Sequence, residues 1–348
     1  MTGTTRRQLT IADLAPLARA ALGRNRLLTG VTRVRGGSKK GVYRLALDDG
    51  TTVIAYVWSP DEDFWDAGPI DHRDPLAHAT GLDLFTASHD RLTAVGVRTP
   101  RLLYADPAHT HLPADAAVVE DVRGHPGGGD LEVLLARDPE TGARVLDRLG
   151  DLLGVLHSTT GPRLGKVGLV DRGGVSHGSS CERIITDRAL HDLDDLVVRQ
   201  PRAAALHGEL AALVRHLAAE VRPRTGPLSL IHGELGPDHV LVTPDGEPAL
   251  IDIEGLLYFD AEWEHVFLRQ RFGTLYDRLH DRQYESLAVP DLDPNRLLLY
   301  RLAMHLSLAT GPLRLLDVGV FPDPAFMRGI AEHSLEQLIG ILTSPRNS

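Results

Sequence analysis

LSLIHGELGPDHVLVTPDGEPALIDIEG, running from Leu228 to Gly255, is the stretch whose reading decides the fold. Leu228 to Ile231 reads as a short apolar strand that ends in a polar loop, His232 to His239, containing two glycines and a proline. Val240 to Val242 reads as a second strand. Thr243-Pro244-Asp245-Gly246 turns it, and Ala249 to Ile253 returns. The return brings Asp252 back beside the loop, so acidic and imidazole groups converge at one point between buried strands. Phosphoryl transfer needs little more: a carboxylate to orient the attacking hydroxyl, and oxygen ligands to hold Mg²⁺ on the phosphates. A lone His-Gly-Glu carries little information, whereas His-Gly-Glu joined to a hairpin ending in Ile-Asp-x-Glu is specific.

Outward from this segment the chain divides in two. Residues 8 to 23 carry helix-spaced apolar positions ending at Gly23. Strand-like pieces follow at 30–35, 41–47 and 51–58, the last two joined by Asp48-Asp49-Gly50, a hairpin signal. Residues 59–80, rich in Pro, Asp and Gly, read as a long loop or insertion, with Trp58, Phe64 and Trp65 flanking it as core edge or as a lid. A helix is predicted over 82–94, then strands at 101–105 and 116–122. From Leu131 the periodicity turns helical, with helices expected at 145–157, 182–198 and 203–221 and two or three more after Trp263. The expectation is an α+β fold of two lobes with a cleft between them: a β-rich N-lobe over 1–120 and a larger, mainly helical C-lobe over 121–348.

Composition narrows the function classes. The chain has 348 residues and a formal net charge of −10, without the clustered basic face of a nucleic-acid binder. No apolar run is long enough to span a bilayer, and Met1 to Arg7 is followed by no apolar signal-peptide core. The single cysteine, Cys181, rules out an internal disulfide and fits a reducing cytoplasm. Only three lysines occur, and two of them, Lys39 and Lys40, sit side by side in the Gly-bracketed turn Gly36 to Gly41.

The catalytic-loop segment resembles the aminoglycoside-phosphotransferase-like family, small-molecule kinases related to protein kinases. His232 matches the family's loop His, Glu234 falls on the catalytic Asp, His239 on the metal-ligating Asn, and Asp252 on the metal-binding Asp. The resemblance covers most of the chain: a phosphate loop near 35–44, a hinge near 118–124, and a Leu-x-x-Leu-His helix end at Leu152 to His157. It also includes a bracing segment at Phe259 to Glu264, with Glu264 where an Asp is usual. It implies catalytic roles for Glu234 and His232, the latter more as a brace. Gly37, Ser38, Lys39, Lys40, Glu120 and Val122 would bind nucleotide, and Asp252, His239 and Glu254 (with Asp238 as a further candidate) a metal. Asp260 and Glu262 would line a pocket for a cationic substrate or brace the loop.

Three departures stand out. Glu234 extends the base by one methylene, about 1.5 Å. His239 offers an imidazole where Mg²⁺ prefers oxygen. Tyr56 occupies the third-strand position where kinases place a phosphate-gripping Lys, so Lys39 or Lys40 is expected to supply that charge from the loop.

The resulting expectation is a cytoplasmic O-phosphotransferase, monomeric or homodimeric, using ATP or GTP with Mg²⁺. It would move the γ-phosphate to a hydroxyl of a small molecule, with an aminoglycoside or nucleoside antibiotic favoured and neither nucleic acid nor membrane as partner. A metabolic kinase for a sugar or amino alcohol, and a non-catalytic pseudokinase-like binding protein, are the alternatives.

Overall fold

The computed structural model describes residues 8–34, 39–63, 70–123, 129–286, 292–319 and 323–343. The first helix, α1 (Ile11–Leu22), begins at a capping box in which the Thr10 side chain accepts from the Asp13 amide while the Asp13 carboxylate accepts from that of Thr10. Five strands follow, β1 (Leu28–Arg33), β2 (Gly41–Leu47), β3 (Thr52–Trp58), β4 (Leu102–Asp106) and β5 (Asp115–Glu120), with α2 (Leu82–Ala94) between β3 and β4. They form one antiparallel sheet in the order β1-β2-β3-β5-β4.

Alternation sorts the two faces of this sheet. Tyr43, Leu45, Val53, Ala55 and Val57 pack with Leu14 and Leu17 of α1 on one side. Ile54, Tyr56 and Trp58 point the other way, onto Phe85 and Leu82 of α2, in a cluster that continues into Leu149, Leu153 and Ile253 of the C-terminal part. The second face therefore looks into the junction of the two parts.

The C-terminal part is mainly helical: α3 (Leu131–Arg137), α4 (Pro139–Ser158), α5 (Val167–Val170), α6 (Cys181–Arg199), α7 (Pro201–Ala204), α8 (His207–Glu220), α9 (Ala261–Phe272), α10 (Tyr276–Ser286), α11 (Pro294–Val318) and α12 (Pro324–Thr343). Six short strands are set among them: β6 (Thr160–Gly161), β7 (Gly165–Lys166), β8 (Leu228–Ile231), β9 (Val240–Val242), β10 (Pro248–Leu250) and β11 (Leu257–Phe259). A small sheet runs β6-β8-β11-β7, and β9 and β10 form the expected hairpin.

Several expected boundaries move, each for a physical reason. The strand expected to reach Val122 stops at Glu120, because Asp121 turns its carboxylate onto Arg44, Thr52 and Arg123. The return strand stops at Leu250, because Asp252 adopts a left-handed backbone (φ 58°, ψ 45°). The helix expected over 203–221 is split between α7 and α8. The one expected after Trp263 starts at Ala261.

Within 59–80, the described residues form a 3₁₀ turn at Pro60–Glu62 and pinned turns from Asp71. The Asp74 carbonyl accepts from Lys166 Nζ at 2.8 Å, its carboxylate meets Arg188 at 3.1 Å, and the Thr80 hydroxyl donates to the Lys39 carbonyl at 3.1 Å. Phe64 and Trp65 lie outside the described residues.

Among the described residues, three histidines besides His232 are buried in the C-terminal part: His157, His265 and His305, at 0–1% exposure. Burial pushes His157 down to about 3 and His305 to about 4, and with neighbouring positive charge it holds His265 well below the ordinary imidazole value. Below pH 6.5 the unfolded chain takes up protons that these folded imidazoles refuse. Stability is therefore full above about pH 6.5 and falls as pH drops toward their folded values, by about 1.4 kcal/mol per pH unit for each group. Urea melts at pH 7.5, 6 and 5 read this slope directly. His157→Gln makes it shallower by one proton; an unchanged slope would exclude His157 from the effect.

Candidate active site

β8 delivers the loop. Its last residue, Ile231, is fully buried and paired with Leu257 of β11, so the chain leaves the small sheet at a fixed point. His232, 2% exposed, donates from Nε2 to the Ile251 carbonyl at 2.9 Å and so ties the loop to the end of the hairpin. Burial pushes its imidazole below the ordinary value and keeps it neutral.

Gly233 sits at φ 91°, and a Cβ there would meet Leu257 at 3.0 Å, so the turn requires glycine. From the first turn of α9, the buried Glu264 carboxylate accepts the backbone N–H groups of His232 at 2.5 Å, Gly233 at 3.2 Å and Leu235 at 3.4 Å. One side chain thus satisfies three donors that the turn leaves unpaired.

Glu264→Ala orphans all three, costing on the order of 3 kcal/mol and letting the loop drift, at a rate cost on the order of 100-fold. Denaturant melts and turnover check this together. A variant that melts like the parent would mean that water replaces the carboxylate.

The loop carries Glu234 outward, its side chain 60% exposed, with Oε2 3.6 Å from Lys39 Nζ. The Lys39 ammonium holds the Glu234 carboxyl below the usual value. His239 stacks on His232 with ring centroids 5.7 Å apart and donates from Nδ1 to the Glu234 carbonyl at 3.1 Å. Its Nε2 faces Asp252 at 3.9 Å and Asp238 at 3.7 Å. Asp238 itself is held by Arg271.

Asp252, in its left-handed conformation, turns its carboxylate back toward the loop. Such a backbone is uncommon for a non-glycine residue and marks a position held by its surroundings. Lys40 Nζ lies 3.1 Å from Oδ1 and Lys39 Nζ 3.9 Å from Oδ2. Burial opposes the Asp252 charge. Lys40, Lys39 and His239 override it and hold the carboxyl well below the usual range. Lys40 also reaches Glu254 Oε1 at 2.5 Å, and Trp58 Nε1 donates to that oxygen at 3.2 Å. Glu234, Lys39, Asp252, Lys40 and Glu254 thus form a run of alternating charge across the junction of the sheet and the helical part.

Other expected site residues fall elsewhere. Gly37 and Ser38 lie outside the described residues. Glu120 ends β5, its backbone N–H on the Arg101 carbonyl and its carboxylate on Arg98 and Arg101; Val122 lies half-buried just beyond. The expectation for Asp260 and Glu262 is corrected. Both carboxylates are fully buried and bound by Arg224 and Arg296, with Tyr300 on Asp260, so neither is open to a cationic substrate. Asp260 also follows the end of β11 that is remote from the loop, since Phe259 pairs with Ser229 and Leu257 with Ile231.

Two contributors escaped the sequence reading. Trp58, which reads from sequence as core edge or lid, is a donor to Glu254. Lys166, the third lysine, is 1% exposed, bound to the Asp74 carbonyl and pushed down to about 8 by burial, with Lys39 among the charges acting on it. The scarcity of lysine was the available signal, because all three gather at this junction.

Among the described residues no group of three or more His, Cys, Asp or Glu side chains is set to hold a metal. Mg²⁺ rarely uses such a cage, taking one or two carboxylates and filling its shell with water and phosphate oxygens. The part-exposed Asp252 fits that habit. Glu254, capped by Lys40 and Trp58, and the imidazole of His239 fit it poorly.

A β-sheet capped by a helical part, with carboxylates and lysines facing each other at their junction, defines a kinase-like phosphotransferase. The chain belongs to the phosphotransferase enzyme family, whose model matches residues 31–303. Solved structures of the same fold include a thermostable mutant of an aminoglycoside phosphotransferase, APH(4)-Ia, in ternary complex with ADP and hygromycin B, at 16% identity and TM-score 0.60 over 97% of this chain and 100% of that one. Spectinomycin phosphotransferase, APH(9)-Ia, with ADP and spectinomycin, matches at 12% identity and TM-score 0.63 over 96% and 97%. A choline/ethanolamine kinase family protein from Mesorhizobium loti matches at 17% and 0.58 over 96% of each chain. No curated protein sequence matches. No helix among the described residues is long and apolar enough to cross a membrane.

Proposed function

We propose that the chain transfers the γ-phosphoryl group of ATP or GTP to a hydroxyl group of a small molecule, an aminoglycoside- or nucleoside-type antibiotic being the favoured acceptor. The observation that carries this reading is the convergence of Glu234 and Asp252 on Lys39, a candidate base beside a candidate phosphate-side carboxylate. Glu234 accepts the hydroxyl proton, its charge secured by Lys39 and its backbone fixed through Glu264. Asp252 would hold Mg²⁺, which when bound neutralises charge on the phosphates.

The acceptor is proposed to enter beside the 70–80 segment, where a cavity of about 440 Å³ is lined by Asp74, Leu76, His177, Arg188 and His191. Hygromycin B and spectinomycin in the complexes of the two structural relatives support an antibiotic acceptor.

Mass spectrometry after incubation with ATP or GTP, Mg²⁺ and a panel of hydroxylated antibiotics, sugars and amino alcohols tests the reading. A mass gain of one phosphoryl group on an antibiotic supports it, and a gain confined to a sugar or amino alcohol makes the protein a metabolic kinase. No product, together with no nucleotide-dependent rise in melting temperature, would leave a non-catalytic binding protein.

A further inference from the structure

We infer that Lys40 is the residue that grips the nucleotide's phosphates, reaching the cleft from the start of β2, with Glu254 as its anchoring carboxylate and Trp58 holding Glu254 in place. The inference rests on the phosphotransferase reading and assigns the role that the β3 lysine plays in related kinases.

Sheet geometry carries the argument. Val42 pairs with Tyr56 and Gly41 with Val57, so alternation puts Lys40, Val42, Tyr56 and Trp58 on the same face, the one that looks into the junction. Lys40 is displaced from the usual lysine position by one strand, and its ammonium still lies 5.2 Å from the Tyr56 ring centroid. A charge delivered from β2 therefore arrives next to where a side chain from position 56 ends.

The usual partner acid has moved as well. On α2, the helix facing β3, the residue against Tyr56 is Phe85, with ring centroids 5.5 Å apart in a T-shaped contact; Trp58 also packs on Phe85 at 5.5 Å. An aromatic cluster fills the place of the lysine–glutamate pair. Tyr56 is 8% exposed and pushed up to about 12 by burial, so it contributes no charge.

Glu254, 2% exposed, supplies the carboxylate from the opposite wall. Burial opposes the Lys40 charge, but Glu254 and Asp252 more than offset it and keep the ammonium protonated. That ammonium has three N–H donors. Glu254 and Asp252 each take one, leaving the third for a phosphate oxygen. Lys39 differs in having no buried anchor: its contacts are Glu234 at 3.6 Å and Asp252 at 3.9 Å.

Binding of Mg²⁺–ATP and Mg²⁺–GTP to the full chain, measured by calorimetry, tests the assignment. Lys40→Met weakens the preferred nucleotide by about tenfold or more, the worth of a charged hydrogen bond, whereas Lys39→Ala weakens it less. Moving the lysine back to β3 (Lys40→Met with Tyr56→Lys) recovers part of the loss.

Lys40→Met strands the Glu254 charge and can unfold the protein, so Lys40→Met with Glu254→Gln is the companion variant. It melts near the parent and shows the same loss. Parent-like nucleotide affinity in either Lys40→Met protein, or a larger loss from Lys39→Ala than from Lys40→Met, overturns the assignment while the phosphotransferase reading stands. A parent chain that binds neither nucleotide overturns both.

Discussion

Asp252→Asn lowers phosphoryl transfer by about three orders of magnitude and leaves the fold intact. The substitution is chosen for its backbone: Asp252 sits at φ 58°, and asparagine is among the few non-glycine residues at ease there. Shape and conformation are retained, and only the negative charge is lost. That charge faces Lys40 at 3.1 Å and Lys39 at 3.9 Å, and in the proposed function it is the one that would hold Mg²⁺ against the phosphates. Losing a pre-positioned electrostatic group of this kind typically costs about 10²–10³ in kcat. Steady-state turnover at saturating Mg²⁺, with a melting curve beside it, decides the matter. Activity within tenfold of the parent would remove Asp252 from the reaction.

The second large effect is at Glu234. Glu234→Gln keeps the side chain's length and its exposed position but removes its ability to take a proton. A positioned general base contributes about 10²–10⁴, so turnover falls in that range while nucleotide affinity stays within a few-fold. Glu234→Asp draws the carboxylate back by one methylene. It falls on the order of 100-fold, because Glu264 pins the backbone at His232, Gly233 and Leu235 and the loop cannot follow. Parent-like turnover in Glu234→Gln would pass the base role to another group, with His239 the nearest imidazole.

What the sequence disclosed about this site was set by how far its parts lie along the chain. Asp252 beside the 232–239 loop was legible, because a two-strand hairpin with a Thr-Pro-Asp-Gly turn is a local event and returns the chain to its start. Lys39 and Lys40 stood out by rarity. Glu254 could not be told from a metal ligand, because the ammonium and the indole that claim it come from residues 40 and 58, some two hundred positions away.

Asp260 and Glu262 misled for a related reason. A short acidic pair after Glu254 reads as pocket lining or as a brace until Arg224 and Arg296 arrive from other elements. β11 went unread because three apolar residues after a glycine carry no periodicity, and only pairing with β7 and β8 makes them a strand.

The gathering of all three lysines at one place has a consequence for chemical labelling. The surface of this protein is charged almost wholly by arginine and carboxylate, so an amine-acylating reagent meets no lysine away from the cleft. Lys40 and Lys166 are walled in, and Lys39 is only 16% exposed and held as a cation by its carboxylate neighbours. Lysine acylation of this protein is therefore a report on one region: its onset marks the moment the junction between sheet and helical part opens.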